Sequence, residues 1–238
     1  MSSIRIYKND KNEDNDIYIK YNNIFNFINK YVYDLCIIAL NAVDNNENKI
    51  EGNYFTYDGI YNIIKYKQAN LYHCGFNANL NICEIGFNTG FTSLLILLSR
   101  INIKPTNLLI FDIEEHNYVK PCLNYIKNNF ENDKTIINYI KGNSIITVPD
   151  YIKDCSSSIS SFDFIHIDGG HTIECITNDM KNADILLNIN GIIIIDDTNY
   201  NFINEIVNSY ISDMKYIEIF LLDLSRCSSP HRIIKKIK

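Results

Sequence analysis

Residues 81–90 read Asn-Ile-Cys-Glu-Ile-Gly-Phe-Asn-Thr-Gly, and this stretch decides the fold class. An apolar run that is typical of a β-strand contains Glu84, and two glycines follow with the spacing Gly86-x-x-x-Gly90. Gly86 allows a sharp turn at the strand end, and Gly90 allows the backbone to approach a ligand where a Cβ atom would clash. The apolar segment Phe91–Leu98 then predicts a helix, whose N-terminal N–H groups suit a carboxylate or a phosphate.

Apolar strand-like segments alternate with helical segments from this turn onward. We predict strands at Ile82–Gly86, Leu108–Ile113, Ile136–Lys141, Phe162–Asp168 and Gly191–Asp196. We predict helices between and after them at Gly90–Ile101, Tyr118–Phe130, Val148–Cys155, Ile173–Leu187 and Phe202–Asp213. Such alternation indicates βαβ units and a parallel sheet. The last two apolar segments, Tyr216–Leu222 and Arg232–Lys238, predict a closing antiparallel hairpin.

The first part of the chain has a different pattern. Residues 8–16 are polar and charged, and we predict a disordered tail over residues 1–16. Helical patterns follow at Ile17–Val43 and Asp58–Tyr72. We therefore expect a helical cap over residues 17–57 and the main α/β domain over residues 58–238, with a possible homodimer surface on the N-terminal helices.

Composition narrows the function class. The chain has 238 residues, of which 46% are hydrophobic, and this suits one α/β domain with a sizeable core. The net charge of −6 weighs against a broad nucleic-acid surface. The basic end His231–Lys238 is interpreted as an edge strand with outward charges. No run of about 18 apolar residues predicts a membrane span, and no apolar signal segment opens the chain.

The seven cysteines contain no Cys-x-x-Cys pair. This spacing argues against a zinc or dithiol redox site. Most of the cysteines lie in apolar runs, where free thiols behave as small core residues. We therefore expect reduced thiols and a cytoplasmic, reducing location.

Ligands of open α/β sheets bind beyond the carboxyl ends of the strands, so the residues at those ends form the candidate site. Asp112 ends the second predicted strand, about 20 residues after the glycine turn, where a carboxylate can accept both hydroxyls of a ribose. Glu114 and Glu115 are weaker alternatives for this position. Thr92 lies in the first turn of the helix after Gly90, where it either holds a carboxylate or caps the helix.

Three carboxylates are expected to converge at the next two strand ends. The fourth strand ends in Asp168, and the fifth ends in Asp196-Asp197 after four isoleucines. Adjacent carboxylates are costly to bury unless something neutralises them. A hard divalent cation is the natural partner, and oxygen ligands favour Mg²⁺ over zinc.

Two histidines flank Asp168. His171 has an unperturbed pKa near ~6.5, so it can accept a proton at neutral pH, or it can cap the next helix or orient Asp168. His166 lies within the strand, and we predict a core histidine whose hydrogen bonds are satisfied.

These motifs resemble those of one enzyme family. Glu-x-Gly-x-x-x-Gly, from Glu84 to Gly90, resembles motif I of the class I S-adenosylmethionine-dependent methyltransferases. The acidic residues at the fourth and fifth strand ends resemble the metal triad of the Mg²⁺-dependent O-methyltransferases. Asp-Gly-Gly-His-Thr followed by Asp-Asp is closer to the macrocin and cephalosporin type than to the catechol type, which carries Asp-Asn. Over about residues 58–238 the resemblance implies a doubly wound, seven-stranded Rossmann-like sheet of order 3-2-1-4-5-7-6 with an antiparallel last strand.

The resemblance also implies residue roles. The residues implied to contact S-adenosylmethionine are Glu84, Gly86, Asn88, Gly90, Thr92, Asp112 and Asp168, with Asn143 or Ser144 against the adenine. Ser144 could equally well act as a helix cap. The implied Mg²⁺ ligands are Asp168, Asp196 and Asp197, and the implied catalytic residues are Asp168 and His171. His171 stands where the catechol-type enzymes place a catalytic lysine. The expected reaction is methylation of a hydroxyl on a small molecule, sugar or phenol.

Two other functions remain open from the sequence. A metal-free enzyme could methylate nitrogen on a small molecule, protein or RNA, but the Asn/Asp-Pro-Pro-Tyr motif of amino-group methylators is absent. A partner subunit could bind the cofactor without turnover. The acceptor pocket is expected between the N-terminal helices, around Tyr54–Tyr61, and the loop near Tyr200.

Overall fold

The protein is described by a computed structural model over residues 7–8, 11–43, 50, 61–154, 161–225 and 227–238. Its strands are β1 (Tyr7–Lys8), β2 (Asn81–Ile85), β3 (Thr106–Asp112), β4 (Thr135–Lys141), β5 (Phe162–Ile167), β6 (Leu187–Ile195), β7 (Tyr216–Phe220) and β8 (Arg232–Lys236). Its helices are α1 (Lys11–Ala42), α2 (Tyr61–Asn77), α3 (Phe91–Arg100), α4 (Val119–Phe130), α5 (Ser144–Asp154), α6 (Ile173–Leu186) and α7 (Asn201–Ser212).

The strands form one sheet in the order β1-β7-β8-β6-β5-β2-β3-β4. Strand β8 is antiparallel to both of its neighbours, β6 and β7, and the other pairs are parallel. With β2 counted as the first strand, the sheet reads 3-2-1-4-5-7-6 from β4 to β7, and the predicted topology is confirmed. The short β1 adds a strand beyond β7 that the sequence did not predict.

The central strands are apolar on both faces because each face packs against helices. In β2, Ile82 belongs to the core formed with α1, α2, α3 and α4, whereas its neighbour Cys83 belongs to the core formed with α5, α6 and α7. In β6, Ile194 and Ile195 divide between the same two cores. Within the described ranges, no helix has the length and the apolar character needed to cross a membrane.

Both ends of the chain differ from the sequence predictions. Helix α1 begins at Lys11, so part of the segment predicted to be a disordered tail is helical. Strand β8 is not an edge strand, because it lies between β6 and β7. Its outward charge is paired within the sheet, since Arg232 Nε lies 2.6 Å from Glu218 Oε1 on β7. The predicted boundary between residues 57 and 58 lies outside the described residues.

The cysteines in the described part of the chain are free thiols, namely Cys36, Cys74, Cys83, Cys122, Cys175 and Cys227. Burial raises the pKa of both Cys36 and Cys74 to about 12. Such thiols remain protonated at neutral pH and act as packing residues.

Candidate active site

The turn between β2 and α3 depends on two glycines with left-handed backbone. Gly86 has a φ of 92° and Gly90 has a φ of 79°. A Cβ atom on Gly86 would lie 1.9 Å from the carbonyl oxygen of Asp168, so this glycine lets the ends of β2 and β5 touch. A Cβ atom on Gly90 would lie 2.3 Å from the ring of Phe87. In the direction of a Cβ atom, the space beside Gly90 is therefore filled by Phe87 and by Ile126 of α4. The predicted contact of Gly90 with the cofactor stays a prediction.

Asp112 holds the glycine turn in place from the end of β3. Its Oδ2 accepts hydrogen bonds from the N–H groups of Phe87, at 2.7 Å, and Asn88, at 3.0 Å. Its Oδ1 accepts from the N–H group of Glu114 at 2.6 Å. Each carboxylate oxygen can accept more than one hydrogen bond, so these contacts do not prevent Asp112 from also accepting from a ribose. The predicted ribose contact stays a prediction.

Glu84 lies beneath the turn and is 1% exposed. The hydroxyl of Ser93, in the first turn of α3, donates a hydrogen bond to its carboxylate. Burial raises the pKa of Glu84 well above its ordinary value, and this hydrogen bond opposes the increase. Thr92 is also buried beside the turn. The sequence did not single out Ser93, although it follows Thr92 directly.

The loop between β4 and α5 is capped by Asn143. Its side-chain oxygen accepts from the N–H group of Ile145 at 3.0 Å, and its carbonyl accepts from Ile146 and Thr147 at 2.9 Å each. The cap that the sequence offered to Ser144 is therefore formed by its neighbour, and α5 begins four residues before the predicted Val148. The predicted adenine contact of this loop is untested.

The carboxylates predicted at the ends of β5 and β6 do lie close together. Ile167 and Ile195 are register partners, so Asp168 and Asp196 follow at the same level of the sheet. Asp196 is 4% exposed, and burial, followed by the nearby Asp168 charge, raises its pKa to about 7. The ammonium of Lys67, from α2, lies 2.6 Å from Asp196 Oδ1 and lowers this pKa in part.

Asp197 is paired with His171. Nε2 of His171 lies 2.7 Å from Asp197 Oδ2 and 3.9 Å from Asp168 Oδ1. The two carboxylates raise the pKa of His171 to about 10, and the hydrogen bond from His171 lowers the pKa of Asp197 to about 2. The Ser229 hydroxyl donates a further hydrogen bond to Asp197. In this arrangement the raised pKa favours the imidazolium form of His171. His171 can act as a proton acceptor only after it separates from the carboxylates and loses this proton.

The backbone of Asp197 adopts a left-handed conformation with a φ of 53°. The Asp197 N–H group donates a hydrogen bond to Asp196 Oδ1 at 2.8 Å. Asp adopts the left-handed conformation more readily than most residues, and a local hydrogen bond of this kind stabilises it. The strained residue thus aims its side chain at His171 while its neighbour faces Lys67. Strain of this kind is common where side chains are aimed for a function.

The three predicted metal ligands do not form one set. Two overlapping groups have ligand atoms within 4.8 Å of one another, one with His166, Asp168 and Asp196, the other with Asp168, His171 and Asp197. The second group is more exposed, and its two carboxylates fit a hard divalent cation by donor chemistry. Asp196 fits less well, since the cation against its Oδ1 is the buried Lys67 ammonium, whereas the cation against Asp197 is the half-exposed His171.

His166 is buried, as expected, but its hydrogen bonds are not satisfied. It is 0% exposed, and neither ring nitrogen has a hydrogen-bond partner among the described residues. Burial lowers its pKa to about 4, so the ring is neutral at pH 7. Its Nδ1 lies 3.9 Å from Glu84 Oε1, between the glycine turn and the carboxylates.

The sequence missed Lys67 and Ser229 as site residues. They come from α2 and from the segment before β8, far from the strand ends in the chain, and neither belongs to a motif. The expected aromatic wall is present in part, because the ring of Tyr200 stacks on His171 with centroids 6.0 Å apart. The other expected aromatic segment, residues 54–61, lies outside the described side chains.

The sheet carries a glycine turn on β2, an acid at the end of β3 and charged residues at the ends of β5 and β6. This arrangement is typical of open α/β folds that bind a nucleoside cofactor. Residues 83–198 match the model of a family described as a methyltransferase domain. This match and the sheet order support a methyltransferase with the Rossmann-like fold, in line with the resemblance to the class I S-adenosylmethionine-dependent enzymes. No curated protein sequence matches the chain.

Solved structures agree on the fold. An O-methyltransferase from Bacillus cereus, in complex with SAH, superimposes with a TM-score of 0.57 at 15% identity, covering 89% of this chain and 90% of that one. TomG, an O-methyltransferase of tomaymycin synthesis from Streptomyces achromogenes in complex with SAM, gives 0.54 at 11% identity over 72% and 79%. CalS11, a TDP-rhamnose 3′-O-methyltransferase of calicheamicin biosynthesis, gives 0.56 at 12% over 98% and 99%. At these identities the likeness concerns the fold.

Proposed function

We propose that the protein transfers the methyl group of S-adenosylmethionine to a hydroxyl of a small molecule or sugar. The observation that carries the proposal is the cluster of Asp168, His171 and Asp197 beside the glycine turn. A hydroxyl must lose its proton when it is methylated, and this cluster combines a proton acceptor with groups that orient it. Solved structures with this fold include O-methyltransferases, among them the TDP-rhamnose enzyme.

Positioning supplies much of the rate in such a reaction. The sulfonium cofactor already carries an activated methyl group, so the protein must place the acceptor oxygen in line with it. Holding two reactants in register contributes roughly 7–11 kcal/mol. Gly86 and Asp168 touch through their backbones, so the proposed cofactor turn and acceptor site form one rigid edge.

His171 is proposed to accept the proton at Nε2. Its side chain is 50% exposed and therefore accessible to an acceptor. An acceptor hydroxyl that inserts between His171 and Asp197 would break their contact and lower the pKa of His171. The imidazolium would then release its Nε2 proton to solvent, and the neutral Nε2 would face the hydroxyl and accept its proton. Tyr200, stacked on the ring, would then form one wall of the acceptor site.

Mg²⁺ is proposed as a second component. Asp168 and Asp197 would hold it, with the predicted ligand Asp196 engaged by Lys67 instead. When bound, the cation would lower the pKa of a coordinated hydroxyl. The chain's own contribution is to orient the two carboxylates, which it does through the Ser229 hydroxyl on Asp197 and the rigid end of β5.

Thermal unfolding tests the proposal first. S-adenosylhomocysteine at about 100 times its Kd should stabilise the protein by roughly 2.7 kcal/mol. A further shift with Mg²⁺ that EDTA abolishes would support the metal, and sugars and catechols would then be screened with a radiolabelled methyl donor. A shift with the nucleoside but none with Mg²⁺ favours a metal-free methyltransferase. Product analysis that locates the methyl group on nitrogen would refute O-methylation, and binding without turnover would favour a partner subunit.

A further inference from the structure

Lys67 is a buried cation at the edge of the proposed acceptor site. It is 9% exposed, and its ammonium lies 2.6 Å from Asp196 Oδ1 and 3.0 Å from the carbonyl oxygen of Ser229. One ammonium therefore joins α2 to the end of β6 and to the segment before β8. A buried lysine is rare unless it is paired, so this position is built around the charge.

The helix that carries Lys67 is anchored to the same segment by a second polar residue. The side-chain oxygen of Asn70 accepts from the N–H group of Leu222 at 3.0 Å, and its nitrogen lies 3.1 Å from Nε2 of His231. Asn70 is 1% exposed. Lys67 is thus held in place by its helix, and moving its ammonium away from Asp196 would disturb buried contacts.

Asp196 and Asp197 differ in exposure and in their charged partners although they are adjacent in the chain. Asp196 is 4% exposed and faces the fixed Lys67, whereas Asp197 has a side chain that is 20% exposed and faces the half-exposed His171. His171 can turn away into solvent. Lys67 cannot do so easily, because little of it reaches the surface.

We propose that Lys67 is a positioning residue that keeps Asp196 out of the metal coordination shell, so that a divalent cation is held by Asp168 and Asp197 alone among the strand-end carboxylates. This inference rests on the metal site of the proposed function. A dication bound to Asp196 would lie only a few ångströms from the Lys67 ammonium, and like charges at that distance repel strongly in a poorly solvated site. Lys67 therefore limits the affinity for metal and leaves room for the acceptor.

Binding of Mn²⁺ alone, followed by electron paramagnetic resonance of the full chain, tests this without any methyl transfer. Lys67→Met removes the charge at similar length, and we expect Mn²⁺ to bind at least about tenfold more tightly as Asp196 becomes a ligand. Lys67→Arg keeps the charge and should bind Mn²⁺ as the wild type does. Asp197→Asn should weaken binding at least about tenfold, since it removes a ligand in every case.

The charge-balanced double variant Lys67→Met with Asp196→Asn is the decisive one. It removes the cation and the carboxylate together, so the net charge is unchanged and no buried charge is left unpaired. If Asp196 is not a ligand, Mn²⁺ affinity should stay within about threefold of the wild type. A tenfold loss in the double variant, an unchanged affinity in Lys67→Met, or no Mn²⁺ binding in any variant would each overturn the proposal. Binding of S-adenosylhomocysteine, measured on the same samples, reports separately on the methyltransferase function.

Discussion

The two halves of the site are built in different ways. In the cofactor half, defined as Glu84, the turn from Gly86 to Gly90, and Asp112, the main contacts run from side chains to backbone N–H groups or to a residue nearby in the chain. In the acceptor half, defined as Lys67, Asp168, His171, Asp196 and Asp197, they are ion pairs between side chains from separate elements. The first half depends on conformation and the second on charge.

Because of this difference, the two halves should respond differently to substitutions. The cofactor half depends on backbone conformation, so even a small added group that prevents this conformation should destabilise it. The acceptor half depends on charge, so the loss of one charge should leave its shape intact but change its affinity for protons and metal. Substitutions in the cofactor half should therefore affect folding and cofactor binding, and those in the acceptor half should affect catalysis and pH dependence.

Gly86→Ala should have the largest effect. The added Cβ atom would meet the Asp168 carbonyl oxygen at 1.9 Å, at a φ of 92° that alanine rarely adopts. Backbone strain and overlap together should lower the free energy of unfolding by about 5 kcal/mol. Chemical denaturation measures this, with Gly75→Ala as a comparison in a helix without positive φ, where a Cβ atom would meet Ser99 Oγ at 3.0 Å and not a backbone oxygen at 1.9 Å. Equal stability of the two variants would show that the cofactor half is not limited by its backbone.

The same difference explains what the sequence could predict. The spacing of Gly86 and Gly90, the isoleucine run before Asp196 and the alternation of apolar segments are local patterns. They predicted the strands and the position of the turn, and the sheet order followed from the family resemblance of these motifs. The partners Lys67 and Ser229 are set by how distant segments pack, and no local pattern contains that information. The prediction of a metal at Asp196 and Asp197 could therefore take no account of Lys67.

His171→Ala should have the next largest effect, on catalysis alone. If His171 accepts the acceptor's proton, its loss should lower the rate of methyl transfer about 10³-fold, or about 4 kcal/mol in activation free energy. Binding of S-adenosylhomocysteine should be unchanged, because His171 belongs to the acceptor half. His73→Ala, on α2, serves as the control, because this histidine is hydrogen-bonded to its helix neighbour Asn77. A loss of cofactor affinity in His171→Ala would mean that the two halves are not separable.

Asp112→Asn should weaken cofactor binding with little effect on the acceptor half. It removes a charge that accepts two N–H groups of the turn, and hydrogen bonds to charged groups contribute about 1.5–3 kcal/mol each. We expect S-adenosylhomocysteine to bind about 30- to 150-fold more weakly, or about 2 to 3 kcal/mol, by isothermal titration calorimetry. The exposed neighbour Glu115, the weaker sequence candidate, provides the control as Glu115→Gln. If that variant loses more affinity than Asp112→Asn, the ribose contact has been assigned to the wrong acid.

Substitution of Asp179, on α6, should produce the smallest effect, which appears only in how the free energy of unfolding depends on pH. Its carboxylate lies beneath Gly169, where a Cβ atom would be 3.2 Å from Oδ2, and burial raises its pKa to about 6. A carboxyl whose pKa is raised by folding binds more protons in the folded state than in the unfolded state. Below the unfolded-state pKa it is protonated in both states and does not affect stability. As the pH rises towards 6, it destabilises the folded state increasingly.

The comparison of wild type with Asp179→Asn isolates this cost from all other titrations. The stability of Asp179→Asn relative to the wild type should rise by about 2 kcal/mol between pH 4.5 and pH 7, measured by urea denaturation at both pH values. The direction is the reverse of that for a salt-bridged carboxylate, which would make the wild type gain relative stability over the same range. A constant difference between the two proteins would mean that the pKa of Asp179 is not raised by folding.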